Sequence, residues 1–167
     1  SREQAHFVVM DGAGEMARDI LVAVVGTGSI GMRHLGVLRR MSGVRPVAVS
    51  CRADRADELR RAGYEVAPDL PRASALGARR CIVASDTGRH LDHGLQAIEQ
   101  GMDVLVEKPL AVEARQAGQL LSRVQQTGRK MFVACTLRFS DSLNEFRELG
   151  LKLGRGHAER IECQSYL

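Results

Sequence analysis

The feature that most constrains the fold of this chain is a glycine-rich segment that directly follows a run of apolar residues. The residues from Ile20 to Val25 are all apolar, which is typical of a strand that is buried on both faces of a sheet. The segment from Gly26 to Gly31 has the pattern G-x-G-x-x-G, and the residues from Met32 to Arg40 place apolar side chains at helical spacing. A strand, a glycine turn and a helix in this order predict the first part of a parallel β-α-β unit.

The rest of the chain continues this alternation of short apolar runs and longer amphipathic segments. Further strands are predicted at 46–50, 64–66, 81–84, 103–106, 131–134 and 158–166, and further helices at 53–62, 90–100, 112–127 and 140–149. The segment 68–78 is expected to be a loop with one helical turn. Repeated β-α-β units with short loops predict an α/β protein with a doubly wound parallel sheet, that is, a Rossmann fold.

The composition excludes several classes of protein. No apolar run approaches the ~20 residues that cross a bilayer, so no membrane segment is expected. Basic residues are dispersed and only 4% of the residues are aromatic, which argues against nucleic acid as a partner. The four cysteines, Cys51, Cys81, Cys135 and Cys163, lack the spacing of metal ligands, so no metal site is expected. Their number and scatter favour a reducing, cytoplasmic location.

Each glycine of the segment 26–31 meets a different demand of a phosphate-binding turn. The first permits the tight turn from strand to helix, the second lets a pyrophosphate approach the main chain, and the third allows the helix to pack closely on the strand. The helix N-terminus adds free N–H groups and a partial positive charge. We therefore expect a dinucleotide coenzyme to bind at Gly26, Thr27, Gly28, Ser29, Ile30 and Gly31. The alternative is a tight turn without a ligand.

The end of the second predicted strand bears on the choice of coenzyme. A carboxylate at this point usually binds the adenosine ribose, but this strand ends in Ser50, Cys51 and Arg52. A small polar residue followed by an arginine suits the 2′-phosphate of NADP, so these three residues are predicted to bind NADP in preference to NAD. In the alternative interpretation, Arg52 is a surface residue and Asp54 reaches back to bind NAD.

A lysine marks the end of another predicted strand. The strand 103–106 runs directly into Glu107, Lys108 and Pro109. The carboxyl ends of parallel strands are where ligands bind in open α/β sheets, and Pro109 could fix the turn there through a cis bond. The ammonium of Lys108 could hold a hydroxyl of the nicotinamide ribose or of a substrate.

These segments together resemble the Gfo/Idh/MocA oxidoreductases, the family of glucose–fructose oxidoreductase and inositol dehydrogenase. The resemblance rests on the glycine segment with His34 behind it, on His90, on the stretch 100–110 with its Glu-Lys-Pro, and on Arg138 and Phe139. It implies a domain that binds NAD(P), with Lys108 as the active-site lysine that touches both the nicotinamide ribose and the substrate. The further coenzyme contacts that it implies come from Ser85, His90, Glu107, Lys108, Pro109 and Arg138.

The sequence departs from the family pattern in two ways. The usual Thr-Pro or Asn-Pro after the fourth strand is replaced by Ser85 to Thr87. The family also continues into a second α/β domain, whereas this chain ends at Leu167, within the expected first strand of that domain. The expected organisation is a flexible leader at 1–19, a coenzyme domain at 20–150 and the start of a missing domain at 151–167. His93 and His157 are expected to be surface residues.

The predicted function is an oxidoreductase that transfers a hydride between a nicotinamide coenzyme and a hydroxyl carbon of a sugar, polyol or nucleotide sugar. The chain would supply mainly the coenzyme domain of such an enzyme. Besides the coenzyme, the enzyme would bind its small-molecule substrate. One alternative is a stand-alone dinucleotide-binding module, sensing or regulatory, that turns over no substrate. Another is a homodimer in which two short chains build one site, since an exposed final strand would invite pairing.

Overall fold

The computed structural model describes residues 19–154, which fall into two compact units. The first contains residues 19–134 and the second residues 135–154 of the described range, and each is treated by itself. The predicted leader up to residue 18 and the predicted strand 158–166 lie outside the described residues.

The first unit alternates strands and helices along its whole length. Its strands are β1 (Ile20–Val25), β2 (Val44–Val49), β3 (Glu65–Ala67), β4 (Arg80–Val83), β5 (Asp103–Val106) and β6 (Met131–Val133). Its helices are α1 (Ser29–Leu38), α2 (Ala53–Arg61), α3 (Leu70–Ala75), α4 (His90–Glu99) and α5 (Ala114–Thr127), with a short 3-10 turn at Thr87–Arg89. The second unit holds a 3-10 turn at Thr136–Phe139 and the helix α6 (Asp141–Leu153).

All six strands form one parallel sheet in the order β3-β2-β1-β4-β5-β6. This is the strand order of a Rossmann fold, so the predicted doubly wound sheet is confirmed. Pro46, which has no N–H to donate, pairs with Val22 of β1 inside β2. On its other side β2 pairs with β3 only from Val47 to Val49, so Pro46 lies where one flank of the strand is unpaired.

Alternate residues of the central strand enter two separate hydrophobic cores, because successive side chains of a strand point to opposite faces. Val22 and Val24 pack with Leu35 of α1 and Leu59 of α2 in one core. On the other face the residues Ala23, Val25, Leu70, Ala73, Ala97, Ile98 and Leu120 join β1 to α3, α4 and α5. The helices α1 and α4 therefore lie on opposite faces of the sheet.

Two elements differ most from the prediction. The segment expected to be a loop with one turn contains the helix α3, which begins after Asp69, whose carboxylate accepts a hydrogen bond from the Arg72 N–H at 2.7 Å. The last helix was expected to end at Leu149 but continues to Leu153, because a glycine such as Gly150 costs a helix only about 1 kcal/mol. Among residues 19–154, no helix combines the length and the hydrophobicity that a bilayer crossing requires.

Candidate active site

A groove of about 670 Å³ opens at the carboxyl ends of β1, β2 and β4. From β1 the chain winds outward to β2 on one side and to β4 on the other, and such a switch point is where open α/β sheets bind ligands. The lining includes Gly26, Thr27, Gly28, Ser29 and Ile30 after β1, Ser50, Cys51, Arg52 and Arg55 after β2, Pro68 and Asp69 after β3, and Ser85, Arg89 and His93 after β4.

The three glycines of the segment 26–31 have three different surroundings. Gly26 has a φ of +91°, and a Cβ there would collide with the main chain of Ser85. A Cβ on Gly31 would collide with the carbonyl oxygen of Gly26, so this glycine lets the first turn of α1 fold against the loop. A Cβ on Gly28 would meet no atom within 4 Å and would project into open space. Gly28 therefore keeps clear the space that a phosphate needs in order to reach the main chain.

The N-terminus of α1 presents its main-chain donors without a side-chain cap. Gly28 is the N-cap residue and has no side chain to bond the N–H groups of the first turn. Its carbonyl oxygen accepts the first hydrogen bond of the helix, from the Met32 N–H at 2.9 Å. The remaining N–H groups and the positive end of the helix dipole favour an anion at this point.

The end of β2 carries no carboxylate in contact with the groove. Cys51 is exposed at the strand end, and Arg52 forms a salt bridge with Asp54 in which Nη2 and Oδ2 are 2.6 Å apart. The hydrogen bond from Arg52 lowers the pKa of Asp54 to about 2. Both side chains are mostly exposed, 72% and 65%, so this pair contributes little to stability. Arg52 lines the groove, and Asp54 is turned to Arg52.

Arg55 is a groove residue that sequence reasoning missed. It is half-buried in the first turn of α2, and its Nη2 donates to the carbonyl oxygen of Thr27 at 2.7 Å. Its Nη1 also forms a salt bridge with Glu58 at 2.6 Å. The spacing to Arg52 could have revealed it, because residues three apart on a helix share a face. Arg55 thus ties the first turn of α2 to the glycine segment, and it brings to the groove a guanidinium group whose charge is shared with Glu58.

His93 is a second missed residue, and the expectation that it lies on the helix surface is wrong. Its ring is half-buried and lines the groove, and its Nδ1 lies 2.8 Å from the Ser85 hydroxyl oxygen. Burial lowers the pKa of His93 below the ordinary value, and the positive charge of Arg89 lowers it further. His93 is therefore neutral at pH 7 and available for hydrogen bonding with Ser85 or a ligand.

His90 is also predicted to contact the coenzyme, and the structure places its ring inside the protein. Its ring is only 1% exposed and does not line the groove. Its Nε2 lies 2.8 Å from the carbonyl oxygen of Ser85, and its Nδ1 lies 2.9 Å from that of Pro109. Both ring nitrogens therefore face main-chain oxygens, and neither faces the groove.

The Glu-Lys-Pro segment follows β5 and lies outside the lining of the groove. The Oε1 atom of Glu107 accepts a hydrogen bond from His34 Nε2 at 2.7 Å, so this carboxylate is engaged within the protein. The peptide bond between Lys108 and Pro109 is cis, as the turn prediction allowed. Lys108 is exposed, and its ammonium has no hydrogen-bond or salt-bridge partner within residues 19–154.

The structure thus brings part of the predicted set together. The predicted residues that line the groove are Gly26, Thr27, Gly28, Ser29, Ile30, Ser50, Cys51, Arg52 and Ser85. Gly31 does not line the groove but packs against the Gly26 carbonyl group. Arg138 belongs to the second unit, on the turn Thr136–Phe139. In the described part of the chain, no three His, Cys, Asp or Glu side chains group as a metal site would require.

Comparison with known proteins agrees with this geometry. The model of an oxidoreductase family with an NAD-binding Rossmann fold, Gfo/Idh/MocA, matches residues 20–135. The inositol 2-dehydrogenase of Gluconacetobacter diazotrophicus is 37% identical over 118 residues, which are 66% of this chain and 34% of that protein. This chain therefore spans well under half the length of the curated relative that it matches.

Two solved structures show the same fold. The scyllo-inositol dehydrogenase of Lactobacillus casei with bound NAD(H) and scyllo-inositol superposes with a TM-score of 0.72 at 22% identity, over 82% of this chain and 42% of that chain. The WlbA dehydrogenase of Bordetella pertussis in complex with NADH and UDP-GlcNAcA gives a TM-score of 0.74 at 21% identity, over 83% and 41% of the two chains. Since the family model covers more than half of the sequence, the chain belongs to the Gfo/Idh/MocA oxidoreductase family and contains its NAD-binding Rossmann domain.

Proposed function

We propose that this chain is the coenzyme-binding part of an NADP-dependent oxidoreductase that acts on a hydroxyl carbon of a polyol, sugar or nucleotide sugar. The observation that carries the proposal is the open space at Gly28, beside the uncapped N-terminus of α1 and at the switch point of the sheet. The substrate class is supported by the relatives, which are inositol 2-dehydrogenase by sequence and dehydrogenases with bound scyllo-inositol or UDP-GlcNAcA by fold.

The residues of the groove fit a dinucleotide. Thr27 to Ile30 and the first N–H groups of α1 would hold the pyrophosphate, because they present main-chain donors around an unfilled space. Ser50 and Cys51 would lie beside the adenosine ribose, since that half of the coenzyme binds at the end of β2. Ser85 and His93 line the part of the groove next to β4 and α4.

The proposed preference for NADP is supported by the charges at the end of β2. A carboxylate there would repel a 2′-phosphate, but the groove is lined at this point by Cys51 and by the guanidinium groups of Arg52 and Arg55. Arginine forms charge-assisted, often bidentate hydrogen bonds with phosphate. Arg52 is already paired with Asp54 in an exposed salt bridge, a weak contact that a phosphate dianion would compete for.

Lys108 is the proposed catalytic residue. When bound, the nicotinamide ring accepts a hydride from the substrate carbon or donates one to it. The ammonium of Lys108 would donate a hydrogen bond to the substrate hydroxyl oxygen and stabilise the charge that develops there. Lys108 is exposed at the end of β5, adjacent to the strand that borders the groove.

Calorimetric titration of the 167-residue chain with NADPH and with NADH tests the proposal. We expect NADPH to bind at least about tenfold more tightly, which corresponds to ~1.4 kcal/mol. The Arg52→Ala variant should remove most of that preference and leave NADH binding unchanged. The matched control is Arg33→Ala, because Arg33 is exposed on α1 outside the groove. If neither coenzyme binds at millimolar concentration, the proposed function is wrong.

The location and assembly of the protein are further parts of this proposal. We propose a cytoplasmic protein, which is supported by the free thiols of Cys51, Cys81 and Cys135 in the described residues. We also propose a homodimer, supported by β6, the outermost strand of the sheet within residues 19–154, whose Phe132 is 62% exposed. Sedimentation equilibrium of the purified chain should give twice the mass of a monomer, and a monomer at all concentrations would contradict the dimer.

A further inference from the structure

Two histidines contact the residues on either side of Lys108. His34 of α1 donates through Nε2 to Glu107 Oε1 at 2.7 Å, and His90 of α4 approaches the carbonyl oxygen of Pro109 through Nδ1 at 2.9 Å. These two helices lie on opposite faces of the sheet, as their separate hydrophobic cores show. The turn that carries Lys108 is therefore held from both sides.

The Glu107 carboxylate links α1 to the main chain of Lys108. One oxygen accepts the hydrogen bond from His34, and the other accepts from the Lys108 N–H at 3.3 Å. The Glu107 side chain is only 16% exposed and that of His34 only 23%, so water competes weakly for these bonds. A hydrogen bond to a charged acceptor of this kind is stronger than a neutral one.

His90 makes the corresponding link on the other face. Its ring is buried, and its Nε2 lies 2.8 Å from the carbonyl oxygen of Ser85. The imidazole therefore spans from the segment after β4 to the segment after β5. Because Ser85 also lines the groove, the same ring contacts a wall of the groove and the turn of Lys108.

Both helices also border the groove itself. The α1 helix begins at the glycine segment, and α4 contributes His93 to the lining. We propose that His34 and His90 are positioning residues, which fix the Lys108 turn relative to the two elements that contact the coenzyme. This inference rests on the proposed function for the identity of the coenzyme, but the contacts themselves are present without any ligand.

The first test uses the ligand-free chain and measures hydrogen exchange of the Lys108 amide by NMR. In His34→Ala we expect this amide to exchange about fivefold to tenfold faster than in the parent chain, since the Glu107 carboxylate loses its anchor. In His34→Gln the amide nitrogen can still donate to Glu107, so exchange should stay close to that of the parent. Arg33→Ala, an exposed change on the same helix, is the matched control. Unchanged exchange in His34→Ala, or equal acceleration in both His34 variants, would overturn the role of His34.

Two substitutions of His90 by an amide side chain, Asn or Gln, separate its two contacts. A neutral imidazole carries one N–H, so only one of these two contacts is a donated hydrogen bond in the parent chain. In His90→Asn the side-chain NH2 takes the place of Nδ1 and can donate to the Pro109 carbonyl oxygen, whereas in His90→Gln it takes the place of Nε2 and can donate to the Ser85 carbonyl oxygen. We expect His90→Gln to accelerate exchange at Lys108 more than His90→Asn. The reverse order would overturn the role of His90. If His34→Ala does not fold, Glu107→Asp withdraws the carboxylate by one methylene and is expected to give the same acceleration.

The second test adds the coenzyme and follows acetylation of the three lysines, Lys108, Lys130 and Lys152, by mass spectrometry. Saturating NADPH should slow the modification of Lys108 alone in the parent chain and in His34→Gln. In His34→Ala the protection should fall by at least about fivefold, a typical size for coupling between sites, while the Kd for NADPH changes less. Full protection in His34→Ala would contradict the inference. A parent chain that binds no NADPH would contradict the proposed function instead, and the exchange experiment would still decide the roles of both histidines.

Discussion

At the scale of single residues, the groove depends on glycines, which have no side chain, as much as on the side chains that line it. Gly28 and Gly31 both belong to the glycine segment, but only Gly31 has protein atoms where a Cβ would be placed. The same substitution at the two positions therefore separates ligand binding from folding.

Replacing Gly28 by Ala should lower the affinity for NADPH by at least about tenfold, because the new methyl group occupies the phosphate space. The free energy of unfolding should change by only a few tenths of a kcal/mol up to about 1 kcal/mol. Replacing Gly31 by Ala should instead lower the free energy of unfolding by about 1–3 kcal/mol, because its Cβ collides with the Gly26 carbonyl. Urea denaturation and calorimetry of both variants check this. An equal loss of stability in the two variants would contradict the distinction.

His93 is expected to make the chain less stable in mild acid. Its pKa is lowered by burial and then by Arg89, so the folded chain binds a proton less readily than the unfolded chain does. The contribution of His93 to the free energy of unfolding is therefore fully present above its pKa in the unfolded chain, about 6.5. It is lost as the pH falls through the lower pKa of His93 in the folded chain. In Arg89→Gln the pKa of His93, followed by NMR titration, should rise. A pKa that stays the same in this variant would exclude Arg89 as a cause.

At the scale of elements, the helices α4 and α5 are packed through a glycine. A Cβ on Gly94 of α4 would lie 2.8 Å from Cδ2 of Leu120, a fully buried residue of α5. By contrast, Gly118 on α5 is exposed, and a Cβ there would meet no atom within 4 Å. Gly94 thus permits the close approach of α4 and α5, whereas Gly118 only lowers the helix propensity of α5.

We expect opposite effects from substitutions at these two glycines. Gly94→Val should lower the free energy of unfolding by about 1–3 kcal/mol, because the larger side chain must displace the fully buried Leu120. Gly118→Ala should raise it by about 0.5–1 kcal/mol through better helix propensity. Thermal and urea unfolding of the two variants provide the comparison. Stabilisation by Gly94→Val would show that α4 and α5 are less tightly packed than the structure indicates.

The elements also show what can be predicted from the sequence. The strands are rich in apolar residues, and Ile20–Val25 and Asp103–Val106 were predicted with their observed bounds. The short helix α3 was missed because six residues carry too little periodic signal, and its start depends on the cap at Asp69. The extent of α6 was underestimated because a glycine is a probable rather than an obligatory end of a helix.

The candidate site could be predicted where main-chain geometry determines it and not where side chains from distant segments meet. The glycine segment has its pattern written in consecutive residues, and the structure gives each glycine a separate steric reason. The burial of His90 between Ser85 and Pro109 depends on contacts over 5 and 19 residues. The contact of Arg55 with Thr27 spans 28 residues. A pattern of neighbouring residues in the sequence does not indicate such contacts.

At the scale of the whole molecule, the first unit is one sheet with a core on each face, so a ligand that binds across the strand ends stabilises all of it. The net charge of +4 also favours an anionic ligand in general. We expect NADPH at about 100 times its Kd to raise the free energy of unfolding by ~2.7 kcal/mol. NADH at the same concentration should raise it less. Urea denaturation with and without each coenzyme measures this, and an equal effect of both would contradict a preference for NADP.

The position of Cys51 makes the reactivity of its thiol a measure of whether the groove is occupied. Its thiol is exposed in the lining of the groove, whereas burial raises the pKa of Cys81 to about 12 and keeps that thiol unreactive. In a chain whose Cys135 and Cys163 are replaced by serine, a maleimide reagent would attach to Cys51, in the part of the groove lining that follows β2. Because the nucleophilic thiolate must be reached by the reagent, an occupied groove shields it. The labelling rate thus becomes a readout of occupancy that needs no substrate.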